Sequence, residues 1–207
     1  MVSSLLSDAD AREVEAVVVR VEAKCSAELV VAVVPRSDDY WRMRVMLAIA
    51  WALAAGFAFL HFEPWREPAL ALGLELLTGV LVFALSGWAP LLRLLVPKAA
   101  TERAASARAF QLFAERGLHA TRGRTALLLF VSELEHRVVM LGDHAIHAEL
   151  GQSGWDSYVA LLVEQLKRGQ AKAGIIQVLE QLEPHLITVA PPLVDDRNEL
   201  PDSVLRS

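Results

Sequence analysis

The stretch MRVMLAIAWALAAGFAFLHF, residues 43–62, carries no charge after Arg44. As a helix it would be about 30 Å long, the thickness of a bilayer's hydrocarbon core. A second apolar run, PALALGLELLTGVLVFALSGW, covers 68–88. Between them, HFEPWREP offers prolines, charges and a tryptophan, a composition suited to an interfacial turn. Two helices that are apolar all round are hard to cover in a chain of 207 residues. The pattern therefore predicts a two-helix transmembrane hairpin, with spans 43–62 and 68–88, inside an apolar segment 43–96. The chain is 54% hydrophobic, and the excess is concentrated in that segment.

Ala48, Ala52 and Gly56 recur at every fourth residue, and Gly73 and Gly79 offer points of close approach on the second helix. Small residues are how helices pack in lipid, where apolar burial supplies no drive. Glu75 would lie about 10 Å inside the second span at 1.5 Å per residue. An intramembrane carboxylate is a functional hypothesis in itself; the plainer alternative is that Glu75 points along the helix pair. Arg36, Arg42 and Arg44 precede the first span, Arg93, Lys98 and Arg103 follow the second, and the loop has only Arg66 beside Glu63 and Glu67. The positive-inside rule then predicts a two-span inner-membrane protein with both termini cytoplasmic. Trp41, Trp65 and Trp88 fall at the expected interfaces. MVSSLLSDADAREVE shows no basic stretch leading into an apolar core, so no cleaved signal peptide is expected.

The remaining sequence reads as one α/β domain split around the hairpin, 1–42 and 97–189. Ser7 and Asp10 form a capping-box pattern, followed by a stripe of Val14, Val17, Val18 and Val21. AELVVAVVP, 27–35, reads as a buried strand. A helix follows Lys98, with Ala107, Phe110 and Ala114 on one face and Gly117 as its C-cap. TALLLFVS, 125–132, is a second buried strand, and RVVML, 137–141, its antiparallel partner. Two more helices follow, one with Trp155, Val159, Leu162 and Leu166 on one side, the other with Ile175, Leu179 and Leu182 inward. The Pro- and Asp-rich end, 190–207, reads as a disordered tail. A lone strand is not stable, so the first must pair with those after residue 125. Both ends of the insertion then emerge on one side of the bilayer, which requires an even number of spans.

The net charge of −5 provides no basic field for nucleic acid. The partners expected are membrane lipids and either membrane proteins or further copies of the chain. Cys25 is the only cysteine, which excludes an intrachain disulfide and suits a small buried filler. No HExxH, GxSxG, Walker A, paired CxxC or GxGxxG occurs. The densest polar cluster is GDHAIHAE. Asp143, His144 and His147 are candidate metal ligands there, against the alternative of a strand-to-helix turn capped by Asp143. Arg122 and Arg124, in ThrArgGlyArgThr, are candidates for holding an anionic group.

The stretches SAELVVAVVPRSDDYW, RAFQLFAERGLHATRGRTALLLFVSELEHRVVMLGD and GW…LLVEQLKRG…GI resemble the TPM domain family. The resemblance covers roughly 5–187, with the hairpin as an insertion. It implies a three-layer α/β/α fold. Glu28 and the Asp38/Asp39 pair match the family pattern near the first strand, and Asp143 matches its acidic residue after the third. Some members are credited with phosphatase activity or calcium binding in an acidic depression, which makes Asp143, Arg122 and Arg124 the candidate catalytic set. Those members carry acidic turns before the second strand and the last helix. The matching turns here, Thr121 to Arg124 and Gly169 to Lys172, are basic. Calcium needs several oxygen ligands, so no cofactor is expected. A non-enzymatic scaffold for membrane complexes is the leading expectation, and a weak phosphatase the alternative.

Overall fold

The computed structural model describes residues 5–62, 67–121, 123–192 and 203–206. In chain order the elements are α1 (Asp8–Glu22), β1 (Glu28–Val34), α2 (Trp41–Phe62), α3 (Pro68–Leu85), α4 (Ala89–Leu95), α5 (Lys98–Glu115), β2 (Ala126–Ser132), β3 (Arg137–Gly142), α6 (His144–Lys167) and α7 (Ala171–Val189), with a short 3₁₀ turn at Leu118–Ala120. The protein is thus a mixed α/β chain, mostly helical. It divides into two compact units, Met1–Ser37 with Ala99–Ser207, and Asp38–Lys98.

In the first unit, the sheet order is β1-β2-β3. β1 runs parallel to β2, Glu28 opposite Ala126 and Val34 opposite Ser132. β3 returns antiparallel, Arg137 opposite Ser132 and Gly142 opposite Leu127. Every residue of β1 and β2 is buried, as expected for strands covered on both faces. On one face Leu29, Val31, Val33, Leu127, Leu129 and Val131 pack with α1, α6 and α7. On the other, Val30, Ala32, Val34, Leu128 and Phe130 pack with α5 and Leu118. The capping box at Ser7 and Asp10 forms, and Val14, Val17, Val18 and Val21 are buried. Gly117 ends α5 in the left-handed region, φ 68°.

Three expectations change here. The Ala107–Phe110–Ala114 face of α5 is turned outward, with Phe110 61% exposed. Ala105, Ala109 and Leu112 are buried instead, because small side chains let the helix approach a sheet face that already carries Phe130. Part of the stretch expected to be a disordered tail is ordered: Leu205 forms a parallel bridge to Ala32, and Val204 is buried in the core; residues 193–202 and 207 lie outside the described residues. The helix expected after Gly151 begins earlier, at His144, with a break at Gly151 (φ 60°, ψ 174°) inside α6.

In the second unit, Tyr40 (φ 50°) leads into α2, its N–H held by Asp38 Oδ1 at 2.8 Å. α2 and α3 pack along a seam of small residues. A Cβ on Gly79 would lie 3.5 Å from the Ala52 Cβ, and a Cβ on Gly56 would fall 1.8 Å from Glu75 Oε1. Glu75 therefore lies over Gly56, along the helix pair. Gly73 is not a contact point, since nothing lies within 4 Å of its would-be Cβ. Arg44 Nη2 donates to Phe83 O at 3.0 Å, with the guanidinium 4.4 Å from the Phe83 ring centre. The run expected to reach Trp88 stops at Leu85, where the Ser86 hydroxyl bonds back to Phe83 O. Gly87 and Pro90 follow, and α4 leaves at 98° to α3. Among the described residues, α2 alone is long and apolar enough to cross a bilayer by itself; α3 meets that measure only together with α4, across the bend.

Candidate functional site

The β2–β3 register decides which candidates meet. β3 runs back toward the start of β2, so the N–H of Asp143 donates to Ala126 O at 2.9 Å. Glu28 opens β1 opposite the same Ala126. Arg124 precedes Ala126 by two residues. Asp143, Arg124 and Glu28 thus share one end of the sheet. Arg122 lies outside the described residues.

Asp143 is the N-cap of α6. Its Oδ1 accepts from the His144 N–H at 3.2 Å and its carbonyl accepts from His147 N–H at 3.0 Å. Oδ2 is buried without a hydrogen-bond partner among the described residues. The two threonines flanking the arginines are used internally. Thr125 Oγ1 donates to Ser26 O at 3.2 Å, and Thr121 sits buried over the 3₁₀ turn. Arg124 is exposed, with φ 48°. That left-handed conformation projects it from a turn anchored on both sides.

The histidines diverge. The His147 ring stacks on buried Trp155, centroids 6.2 Å apart, and His144 is exposed. Glu149 faces His185, with 3.6 Å between Oε1 and Nδ1. Among the described residues no three His, Cys, Asp or Glu side chains converge as a metal site would need. Gly142 is required by this packing, since a Cβ there would lie 2.6 Å from the Trp155 ring.

The second basic turn lies elsewhere. Lys172 Nζ pairs with Asp10 Oδ1 and Glu13 Oε2, each at 3.0 Å. These hydrogen bonds, with Glu13 first, raise the Lys172 pKa above its ordinary value. The Ser7 hydroxyl, followed by Lys172, brings the Asp10 carboxyl down to about 2. α7 runs alongside α1 from Lys172–Asp10 to Lys24–Glu183, and Ala190 O then accepts from Ser26 N–H at 2.9 Å. Because Ser26 also receives Thr125, the 121–125 and 169–172 turns sit at opposite ends of α1. They do not form one site.

One polar cluster carried no sequence motif. Glu135, buried in the β2–β3 turn, accepts from Ser37 N–H at 3.1 Å and from the Ser132 hydroxyl, which in turn contacts Ser37 Oγ at 2.8 Å. It ties the exit of β1 to the exit of β2. The positive φ of the next residue, His136 (51°), is the backbone feature that makes the turn.

No family model matches the chain, and no curated protein matches it. Among solved structures it is similar to the BA42 protein of the psychrophilic bacterium Bizionia argentinensis sp. nov., determined by NMR. The identity is 15% and the TM-score 0.61, over 100% of this chain and 99% of that one. At that identity the likeness concerns the fold.

Proposed function

We propose that this is a membrane-anchored domain of the TPM type, a three-layer α/β/α unit interrupted by a transmembrane hairpin, acting as a non-enzymatic scaffold in a bacterial inner membrane. The observation that carries the reading is the outward surface of α2 and α3. Met46 is 72% exposed and Phe57 75%, with Leu53, Leu72, Leu76 and Val80 also uncovered. Water does not tolerate an apolar surface of that extent; lipid does. Trp41 and Trp88, at the ends of the apolar stretch, are exposed as interfacial residues would be; Trp65 lies outside the described residues. With 43–62 crossing and the chain returning through α3, both termini face the cytoplasm and the domain works at the membrane surface, on lipids and on membrane-protein partners.

Fractionation tests this. The intact chain should stay in the membrane pellet through an alkaline carbonate wash, and a reporter placed in the 63–67 loop should be active only outside the cytoplasm. Recovery of folded chain in a detergent-free supernatant overturns the reading. The juxtaposition of Asp143 with the 121–125 turn favours a second reading, a weak phosphatase. Phosphate-ester hydrolysis by the purified protein that Asp143→Asn abolishes would establish it.

A further inference from the structure

The two edges of the sheet are finished differently. In the order β1-β2-β3, both β1 and β3 are edge strands. β1 is wholly buried, and its outer side holds Leu205: Val31 O accepts from Leu205 N–H at 3.0 Å, and Val33 N–H donates to Leu205 O at 2.8 Å. β3 is part-exposed along its whole length, and among the described residues no strand or bridge lies on its outer side. The devices that usually blunt an edge are also missing from it. Its register with β2 runs without a bulge, and the stretch from Val138 to Leu141 contains neither charge nor proline. Charges stand only at the two ends, Arg137 and, one residue past the strand, Asp143.

The bonding of β3 to β2 fixes which backbone groups are left over. Continuing the register by one step sets Asp143 opposite Ala126, and the Asp143 N–H donates to Ala126 O at 2.9 Å. In an antiparallel ladder such bonded pairs alternate with unbonded ones. Leu141, Val139 and Arg137 therefore bond to β2, while Val138, Met140 and Gly142 turn their N–H and C=O groups outward.

We propose that the outer side of β3 is a self-recognition edge, on which the β3 strands of two copies pair antiparallel about a two-fold axis at Met140 and join their sheets. This register engages every outward group: Met140 bonds with the second copy's Met140, and Val138 with its Gly142. Val139 then lies beside Leu141, apolar on apolar, and Arg137 lies opposite Asp143, cation to anion, at both ends of the pair. Any other register leaves an outward group of the strand without a strand partner and takes Arg137 away from Asp143. Arg137 Nη2 already bonds Glu102 Oε1 at 2.7 Å, and the planar guanidinium keeps other donors for a second carboxylate. The contact uses the same patch on both copies, so it closes at two. With Leu205 on the β1 edge, the joined sheet is covered at its far ends. The inference concerns the first unit alone and stands apart from the membrane reading.

Two differently tagged copies of the full chain, co-produced and purified in mild detergent, test it. Capture by one tag should recover the other copy. Met140→Pro in both copies removes the two central bonds and spares those to β2, because the Met140 N–H points outward; recovery should fall about tenfold or more. Met140→Lys in both copies sets like charges opposite each other and should act likewise. A Met140→Lys copy co-produced with a Met140→Glu copy should be recovered again, which a variant that merely failed to fold would not allow. Cysteines read the register. Met140→Cys should form a disulfide between copies, its Cα atoms about 5.5 Å apart, and Val139→Cys should cross-link to Leu141→Cys in preference to itself. Cys25 is buried and stays out of the reaction. Failure of the intact copies to capture one another, capture unchanged by Met140→Pro, no recovery for the Lys and Glu mixture, or equal cross-linking of Val139→Cys with itself would overturn the proposal.

Discussion

Two helix pairs in this protein are built inside out relative to each other. In α1 and α7 the seam is large and apolar, with Val14, Val18, Ile175, Val178 and Leu182 buried, while the outer rim carries Arg20–Glu180, Lys24–Glu183 and the Lys172 pair with Asp10 and Glu13. In α2 and α3 the seam is small, Ala48, Ala52 and Gly79 with Glu75 over Gly56, and the large apolar side chains point outward. Water as solvent forces the first arrangement. The second gains nothing from water and is the arrangement helices adopt when close packing must hold them together. Identical substitutions should therefore act differently in the two pairs.

The largest contrast is between two phenylalanines. Phe130 is fully buried in β2, and Phe130→Ala should cost about 3–5 kcal/mol, as large-to-small changes in a packed core do. Phe57→Ala removes a side chain that touches little protein, so in detergent it should change stability by less than about 0.5 kcal/mol. Denaturant titration of both variants in one detergent measures the difference. A comparable loss at Phe57 would mean that its ring packs against protein and would break the comparison.

Glycines sharpen it. A Cβ on Gly174 would meet the Gln165 Cβ at 2.6 Å and Leu162 Cδ1 at 3.0 Å, where α6 and α7 cross closely. Gly174→Ala should cost about 1–3 kcal/mol through overpacking. Gly73→Ala meets nothing within 4 Å in α3 and should be neutral or stabilising by up to about 1 kcal/mol from helix propensity. Thermal unfolding that places the two variants in the opposite order would show that Gly73, not Gly174, is a packing point.

Much of this was legible from periodicity alone. The valine stripe of α1, the two buried strands and the inward faces of α6 and α7 follow from apolar spacing. That β1 pairs across the insertion with a strand after residue 125 follows from the instability of a lone strand; that the partner is β2 does not. What escaped depended on partners. Nothing in TERAASARAFQLFAERGL says that the alanine face, not the Phe110 face, meets the sheet, because that choice belongs to Phe130. Val204 and Leu205 sit in a polar, proline-rich context, and only the open edge of β1 gives them a place. For the site, the capping role of Asp143 was readable from its position before a helix. The stacking of His147 on Trp155 and the separation of the two basic turns depend on tertiary contacts, as does the Glu135 cluster.

A smaller effect isolates Asp143. Asp143→Ala removes the cap of α6 and should cost about 1 kcal/mol, whereas Asp143→Asn keeps an N-cap side chain and should change stability by a few tenths. The asparagine variant is therefore the clean probe for hydrolysis, because activity lost there is not lost through unfolding. Calorimetry of the two variants beside the parent checks the ordering.

The smallest effect belongs to the ion-pair rim of α1 and α7. Asp10 has its pKa lowered from 3.8 to about 2 by the Ser7 hydroxyl and then by Lys172. An acid depressed in the folded state contributes stability above its unfolded pKa, and that contribution disappears as pH falls through the folded value. Between about pH 4 and 2 the parent should therefore lose more stability than Asp10→Asn. Ser7→Ala should narrow the gap, because it removes the largest cause of the depression. At the alkaline end the sign reverses: Lys172, raised above 10.5, contributes below that value and ceases to as pH rises through its folded pKa. Both groups are partly exposed, so the increments are small and screened by salt. Denaturant midpoints of the parent and both variants, measured from pH 2 to 5 at low and high salt, resolve them. Parallel curves for all three would show that the α1–α7 rim is decorative, and that the two pairs differ in their seams alone.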